Sequence, residues 1–302
     1  MAIPGSADAK SRYKVGFGDQ NAQIFTDGNF TSLKLKKARL IVPYNYASDA
    51  TTLAQVTDWI SKAQASKYEV MVAFNSPRGC YVNGKYSKRK ACKAPTPAKF
   101  LKAFKGFRKT FPKVKVFQPW NEINSKSQPT AKSPKRAAQY YNTLKKACKK
   151  CTVVAADLLD SSSVTSYIKK FKRYVKGSPK LWGLHNYSDV NRSRYTITTK
   201  VMKVLPGQVW LTETGGLVKF EKNFPYSTKR ANKATKFLFK LADRFSKKRK
   251  GLRSKVTRVY PYTFYGENKG ERFDAGIVGP VENPAVRPAY KTFKKLVKSR
   301  SK

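Results

Sequence analysis

The sequence predicts an α/β protein folded as a single (β/α)8 TIM barrel, and three observations carry that prediction. Strand-like segments recur about every 30 to 45 residues through the 302 positions. Most of them are followed by a stretch with helical periodicity. Several are nearly unbroken apolar runs, as from Glu69 to Phe74 and from Cys151 to Ala156. Strands covered on both faces have this character, and helices on both sides of a parallel sheet provide that cover.

Taken in order, the predicted strands are Tyr13–Asp19, Ala38–Asn45, Tyr68–Asn75, Val114–Glu122, Thr152–Leu159, Leu181–Tyr187, Gln208–Glu213 and Val256–Tyr265. Between them lie helix starts. Thr96 followed by Pro97 is an N-cap with proline at the first helical position, and Ser133 followed by Pro134 repeats it. Phe100, Leu101, Phe104, Phe107 and Phe111 then recur at steps that form one apolar stripe. Val164, Tyr167, Ile168, Phe171 and Val175 form another, and Ala231, Ala234, Phe237, Leu238, Leu241 and Phe245 a third. Asn21 to Leu35 reads more as a loop than as a full helix. Eight units in one chain suit a closed barrel better than an open sheet. With no internal linker or low-complexity block, one domain over residues 1–302 is expected, flexible for about ten residues at the N-terminus and about six at the C-terminus.

Composition narrows the class. Hydrophobic residues are 40% and aromatic residues 13%, enough to build a core. No apolar run is long enough to span a bilayer. Met1 to Lys10 lacks the apolar centre of a signal peptide, so the chain is cytoplasmic or begins after a removed leader. Lys and Arg number 64 against 17 acids, a formal charge of +47. Such a field attracts polyanions, yet the basic residues are spread along the whole chain, as a solvated surface also requires. Charge alone names no partner.

Four cysteines form two local pairs, Cys80 with Cys92 and Cys148 with Cys151. Two short disulfides, free thiols or a metal site are the alternatives. Disulfides imply an oxidising compartment, extracellular or periplasmic. A thioredoxin-type motif is disfavoured because Cys148 and Cys151 follow a helix instead of opening one. A single histidine and scattered acids make no metal constellation.

In a barrel of this kind the active site forms at the carboxyl ends of the strands. The fourth predicted strand ends Trp120-Asn121-Glu122, and the seventh ends at Glu213. Two glutamates ending two apolar strands, in a chain with 17 acids, point to carboxylate chemistry. Retaining glycoside cleavage needs two carboxyl groups about 5–5.5 Å apart, one protonating the leaving oxygen and one attacking the anomeric carbon. Arg39 and Tyr187 are placed to donate hydrogen bonds to Glu213. Asn121 can offer an amide to a sugar hydroxyl, and His185 shares a strand face with Tyr187. Asp19, Tyr44, Asn45 and Asn75 end the first three strands and are candidates to line the cleft. Trp120 and Trp182 are either core or sugar platforms. Gly215 and Gly216 allow a sharp turn after Glu213. Arg272 and Asp274 suit a loop ion pair better than a substrate, while Glu221 and Glu267 lie farther from the strand ends.

These residues resemble glycoside hydrolase clan A, the (β/α)8 superfamily that includes family five. That clan shows Asn-Glu ending strand four, a Glu on strand seven, His-x-Tyr on strand six and Arg on strand two. Asn121-Glu122, Glu213, His185-x-Tyr187 and Arg39 match in order, and the likeness spans Tyr13 to about Lys294. It implies Glu122 as acid/base, Glu213 as nucleophile, Tyr187 as its hydrogen-bond partner and Arg39 as its anchor. Two departures stand out. Ile123 replaces the usual proline, and the eighth strand has no tryptophan, leaving Tyr262, Phe264 or Tyr265 to floor the sugar site. The expected activity is hydrolysis of a β-linked oligo- or polysaccharide by a monomer without a cofactor, at mildly acidic pH. The alternative is a catalytically silent basic barrel that binds acidic glycans or nucleic acid.

Overall fold

The computed structural model describes residues 13–82 and 84–300. The expected flexible N-terminus falls outside them, as do residues 301 and 302, whereas Val297 and Lys298 close the last helix, Pro288–Lys298. All eight predicted strand positions are occupied by strand. Their pairing forms two five-stranded sheets, parallel throughout. One runs Lys14–Val15, Ser254–Pro261, Gly207–Thr214, Leu181–His185, Asp157–Leu159. The other runs Phe17–Gly18, Lys37–Pro43, Glu69–Asn75, Val116–Gln118, Thr152–Val153.

Two strand positions serve both sheets. At the first, Lys14–Val15 pairs with the eighth strand and Phe17–Gly18 with the second. Gly16 is where the hand-over occurs, and it packs against the Tyr260 ring, where a Cβ would come within 2.5 Å. At the fifth, Thr152–Val153 pairs with the fourth strand and Asp157–Leu159 with the sixth. The Val154 amide donates to the Phe117 carbonyl and the next amide, Ala155, to Leu181. A further parallel bridge joins Gly18 to Tyr262.

The helices start where the sequence predicts. Thr96 caps Pro97–Thr110 by accepting the Lys99 amide, and Ser133 caps Pro134–Ala147 through Arg136. The phenylalanine stripe of the first is buried and packs edge-on against Phe74 and Phe117 of the strands. Val164–Lys172 and Thr228–Ser246 bury most of the other two stripes, with Phe237 half-buried and Val175 beyond the end of its helix. Between Asn21 and Leu35 lie a 3-10 turn, Ala22–Phe25, and a single helical turn, Gly28–Thr31. No helix among the described residues is long and apolar enough to cross a membrane.

Both cysteine pairs are disulfides, Cys80–Cys92 and Cys148–Cys151, so the free-thiol and metal alternatives fall away. The first closes a loop after the third strand that holds a small antiparallel hairpin, Tyr81–Val82 with Lys85–Tyr86. A second antiparallel pair, Lys219–Phe220 with Phe273–Asp274, ties the loops after the seventh and eighth strands together. Neither pair is legible as a strand signal, because each strand is two residues long.

Gly216 leads the chain away from the seventh strand against helix Thr228–Ser246. A Cβ there would stand 2.1 Å from the Ala231 carbonyl oxygen, so its need is close approach and not an unusual backbone angle. Gly216→Ala should cost about 2 kcal/mol by forcing helix and loop apart. Urea denaturation of wild type and variant measures this, and an unchanged midpoint would contradict the packing described.

Candidate functional site

Arg39, on the second strand, is almost fully buried, and its guanidinium is the hub of the site. Its Nε donates to Gln118 Oε1 at 2.7 Å and its Nη1 to Glu213 Oε2 at 2.7 Å. Its Nη2 donates to Asn121 Oδ1 at 2.6 Å and to Asp157 Oδ2 at 3.0 Å. The planar fork therefore fixes side chains from the second, fourth, fifth and seventh strand positions in one arrangement. With Asn121 Oδ1 held by Arg39, its amide NH2 is left to face the cavity that it lines.

Glu213 receives a hydrogen bond on each oxygen. Arg39 supplies one, and Tyr187 Oη donates to Oε1 at 3.2 Å. Tyr187 comes from the start of a short helix, Tyr187–Asn191, and not from the strand predicted to reach it. Burial and the Glu213 charge push its phenol well above its ordinary range, so it stays a donor.

Glu122 also lies beyond its strand. The fourth strand stops at Gln118 because Pro119 has no amide to continue the ladder. The chain then turns, with Glu122 at a φ of 44°, a left-handed conformation uncommon for a residue with a side chain. Hydrogen bonds fix the turn from both sides. The Asn121 amide donates to the Phe74 carbonyl, the Ile123 amide to the Asp157 carbonyl, and the Asn124 side chain pairs with the Leu159 backbone. Trp120 is core at this turn, stacked on Tyr140 at 4.9 Å with its indole N–H donating to Gln128. Its expected role as a sugar platform is thereby corrected. Trp182 is likewise core and donates to the Pro206 carbonyl.

His185 stands between two carboxylates. Nδ1 lies 3.1 Å from Glu122 Oε1 and Nε2 lies 3.0 Å from Asp157 Oδ2. Burial alone would lower its pKa, but the charges of Asp157 and Glu213 dominate and raise it to about 10. The ring is therefore an imidazolium with both N–H groups engaged. Burial disfavours the Asp157 carboxylate, yet His185 and Arg39 outweigh that and hold it down at about 2. Two buried basic groups, Arg39 and His185, thus face the carboxyl groups of Asp157 and Glu213. A carboxylate oxygen of Glu122, one of Glu213 and a His185 nitrogen all lie within 4.8 Å of one another. Three such donors are also the makings of a metal site, but Arg39 and the charged His185 already supply the positive charge that a cation would bring.

Two cavities meet at Glu122. One of about 370 Å3 is lined by Asn75, Ser76, Arg78, Tyr81, Asn121 and Glu122 among others. The other, of about 460 Å3, holds Glu213, Tyr187, Tyr262, Phe220, Phe224 and Phe273 and shares Tyr81, Glu122 and Ser127 with the first. Of the three candidate floor residues, Tyr262 faces this space. Phe264 is core, and Tyr265 donates to Asp27. Asp19 spends its carboxylate on backbone amides of Asn21, Phe264 and Tyr265, anchoring the loop after the eighth strand. Asn45 is turned toward Ser48 at the head of a 3-10 turn. Tyr44 packs on Trp120. Arg272 pairs with Glu221, and Asp274 with Arg287.

Sequence reasoning overlooked Asp157, Gln118 and Thr212. Asp157 is the counter-ion of both buried cations and also accepts Thr212 Oγ1 at 2.5 Å. Its signal was an acid inside the apolar run Val153–Leu158, which needs a buried cation or hydrogen-bond donors to compensate it. The loop residues Phe220, Phe224 and Phe273 were missed because their placement depends on tertiary pairing.

Residues 91–273 match the family described as glycosyl hydrolase catalytic core. No curated protein matches the chain. Among solved structures, a GH5_18 protein from Streptomyces cattleya, crystallised in complex with Manβ1-4GlcNAc, superposes with a TM-score of 0.66 at 11% identity, covering 95% of this chain and 80% of that one. An exo-β-1,4-mannosidase from Opitutaceae bacterium strain TAV5 gives 0.67 at 12% identity, with 100% and 62% covered. A GH5_18 protein from Bifidobacterium longum subsp. longum ATCC 55813 gives 0.63 at 13%, with 95% and 79% covered. Identities this low carry the fold and nothing finer.

Buried acids at the site give a test that needs no substrate. Burial raises Asp160, on the wall of the larger cavity, from 3.8 to about 8. The folded state then holds a proton that the unfolded state releases, so this group lowers stability progressively as pH rises from about 4 to 8. Asp160→Asn should match wild type near pH 4 and melt several degrees higher at pH 8. Parallel melting curves across that range would contradict the buried, neutral carboxyl.

Proposed function

The chain belongs to the glycosyl hydrolase catalytic core family and is a glycosidase; from this we propose that it cleaves β-linked glycans with retention, by double displacement between Glu122 and Glu213. One observation carries the proposal: an oxygen of Glu122 and an oxygen of Glu213 approach within 4.8 Å. An approach this close accords with the about 5–5.5 Å of a retaining pair better than with the about 6.5–9.5 Å of an inverting one. It also speaks against the silent-barrel alternative, since crowding two acids has a cost that binding an anion does not require.

Each residue then has a task. Glu213, hydrogen-bonded on both oxygens by Arg39 and Tyr187, is the nucleophile. Glu122, at the junction of the two cavities, protonates the leaving oxygen and later deprotonates the water that releases the sugar. His185 orients Glu122. Asn121 offers its amide to the hydroxyl beside the reacting carbon, and Tyr262 supports the sugar face.

We read the architecture as one domain closed into a (β/α)8 barrel. The support is that the first strand position pairs with both the second and the eighth, and the fifth with both the fourth and the sixth. The two disulfides favour an exported, oxidising setting. We expect a monomer whose basic surface binds polyanions non-specifically and in a salt-sensitive way.

Glu213→Ala should remove turnover of an activated aryl β-glycoside while leaving the circular dichroism spectrum unchanged. Glu122→Ala should lose roughly 10²- to 10⁴-fold on substrates with poor leaving groups and much less on the activated one. Near-normal turnover by Glu213→Ala would overturn the assignment.

A further inference from the structure

We infer that the substrate is an anionic glycan, a β-linked chain carrying carboxylate or sulfate groups, gripped by Arg78 and Arg192 on opposite sides of the cleavage point. This rests on the proposed roles of Glu122 and Glu213 and names the substrate class for that same site.

The geometry begins with Glu122. The two cavities share it, so a chain that runs from one to the other presents its glycosidic oxygen there. Arg78 lines the smaller cavity and Arg192 the larger. Each guanidinium is held but not neutralised. Arg78 Nη2 donates to the neutral Gln55 Oε1 at 2.6 Å. Exposed Asp49 feels its charge without closing an ion pair. Arg192 lies with its guanidinium carbon 4.8 Å from the centre of the Phe224 ring and makes one long contact, 3.4 Å, to Ser188 Oγ. Stacking on an aromatic face fixes the plane of the fork and leaves its N–H edges to a ligand.

The neighbours make the contrast. Arg194, two residues on, is bonded to Asp189, and Arg272 at the rim is bonded to Glu221. In the smaller cavity Glu122 is the one acid in the lining. In the larger, Glu122 and Glu213 belong to the reaction and Glu221 is already paired. Asp160 accepts the Asp189 amide and is buried. Arg78 also borders a neighbouring cavity that holds Asp58, Glu267 and Glu282 but closes no ion pair with them, so each side of the cleft keeps one guanidinium without a carboxylate partner among the described residues, the group best shaped for bidentate contact with a planar carboxylate or a sulfate. The lysines on the exposed faces of the outer helices do not reach these cavities, but their field raises the local concentration of any anionic chain.

The test compares wild type, Arg78→Ala, Arg192→Ala and the control Lys240→Ala, which removes one positive charge from the exposed face of helix Thr228–Ser246. Substrates are neutral, uronate-bearing and sulfated β-linked glycans, with an activated neutral aryl glycoside alongside. Wild type should favour one acidic class over neutral chains, and that preference should collapse on raising salt from 0.05 to about 0.5 M. Each arginine variant should lose about ten- to a hundredfold in kcat/KM on the acidic chain, through KM, as expected for a charge-assisted hydrogen bond. Lys240→Ala should lose far less. The uronate and sulfate arms identify which anion is read. Equal or better cleavage of neutral chains, or arginine variants no worse than Lys240→Ala, would overturn the inference. If no substrate is cleaved, the aryl glycoside included, the catalytic proposal fails separately. Equilibrium binding of the same glycans to Glu213→Gln then decides the anion question, with no preference for acidic chains counting against it.

Discussion

One buried guanidinium organises this molecule's working end. Arg39 is removed from water and surrounded by Gln118, Asn121, Asp157 and Glu213, with His185 beside it. An isolated buried charge is prohibitively costly, and one partner does not repair it; here each N–H edge has an acceptor. The requirement works in both directions. Arg39 is tolerable because four strand positions deliver polar groups to one point, and those groups are held at fixed separations because Arg39 binds them all. The close approach of Glu122 and Glu213 follows from that. Glu213 is bonded to Arg39 directly, and Glu122 is set by His185, whose other nitrogen returns to Asp157 and so to Arg39.

Much of this was legible in the sequence, for identifiable reasons. Apolar runs of five or six residues mark strands covered on both faces, and proline after a Thr or Ser cap marks helix starts. His185, Tyr187, Asn121 and the two glutamates were visible because strand ends are where a barrel-like sheet collects chemistry, and Arg39 through the family pattern that places an arginine on the second strand. What the sequence hid has physical causes too. Asp157 reads as an interruption of an apolar strand until the cation it neutralises is known to face it. Pro119 ends the fourth strand early, so Glu122 reaches the site from a turn with left-handed backbone and not from the ladder itself. Asp19 and Asn45 lie just past their strands, and their side chains serve the adjacent loops, Asp19 on backbone amides and Asn45 on Ser48. Trp120 reads in sequence as either core or platform, and its burial against Tyr140, in the turn beyond the strand, decides for core.

The charge of +47 sorts itself across the fold. Lysines crowd the exposed helix faces, where they are solvated, while many acids serve specific structural ends: Asp27 and Asp49 cap helices, Asp157 neutralises buried cations and Asp274 holds Arg287. The site itself is close to neutral, because each buried cation has a buried anion. A polyanion drawn in by the surface therefore meets a cleft whose free charges are few and placed by the loops, chiefly the disulfide-closed loop after the third strand and the segment after the sixth.

The central claim is that the Arg39 network holds the two carboxyl groups at the separation of a double displacement. Proton magnetic resonance of the first product from an oligosaccharide or aryl β-glycoside tests it most directly, since the anomeric signal appears before mutarotation scrambles it. The account predicts that the β anomer forms first. Initial release of the α anomer would mean that water attacks in a single step, and the geometry described here would not be the one that works.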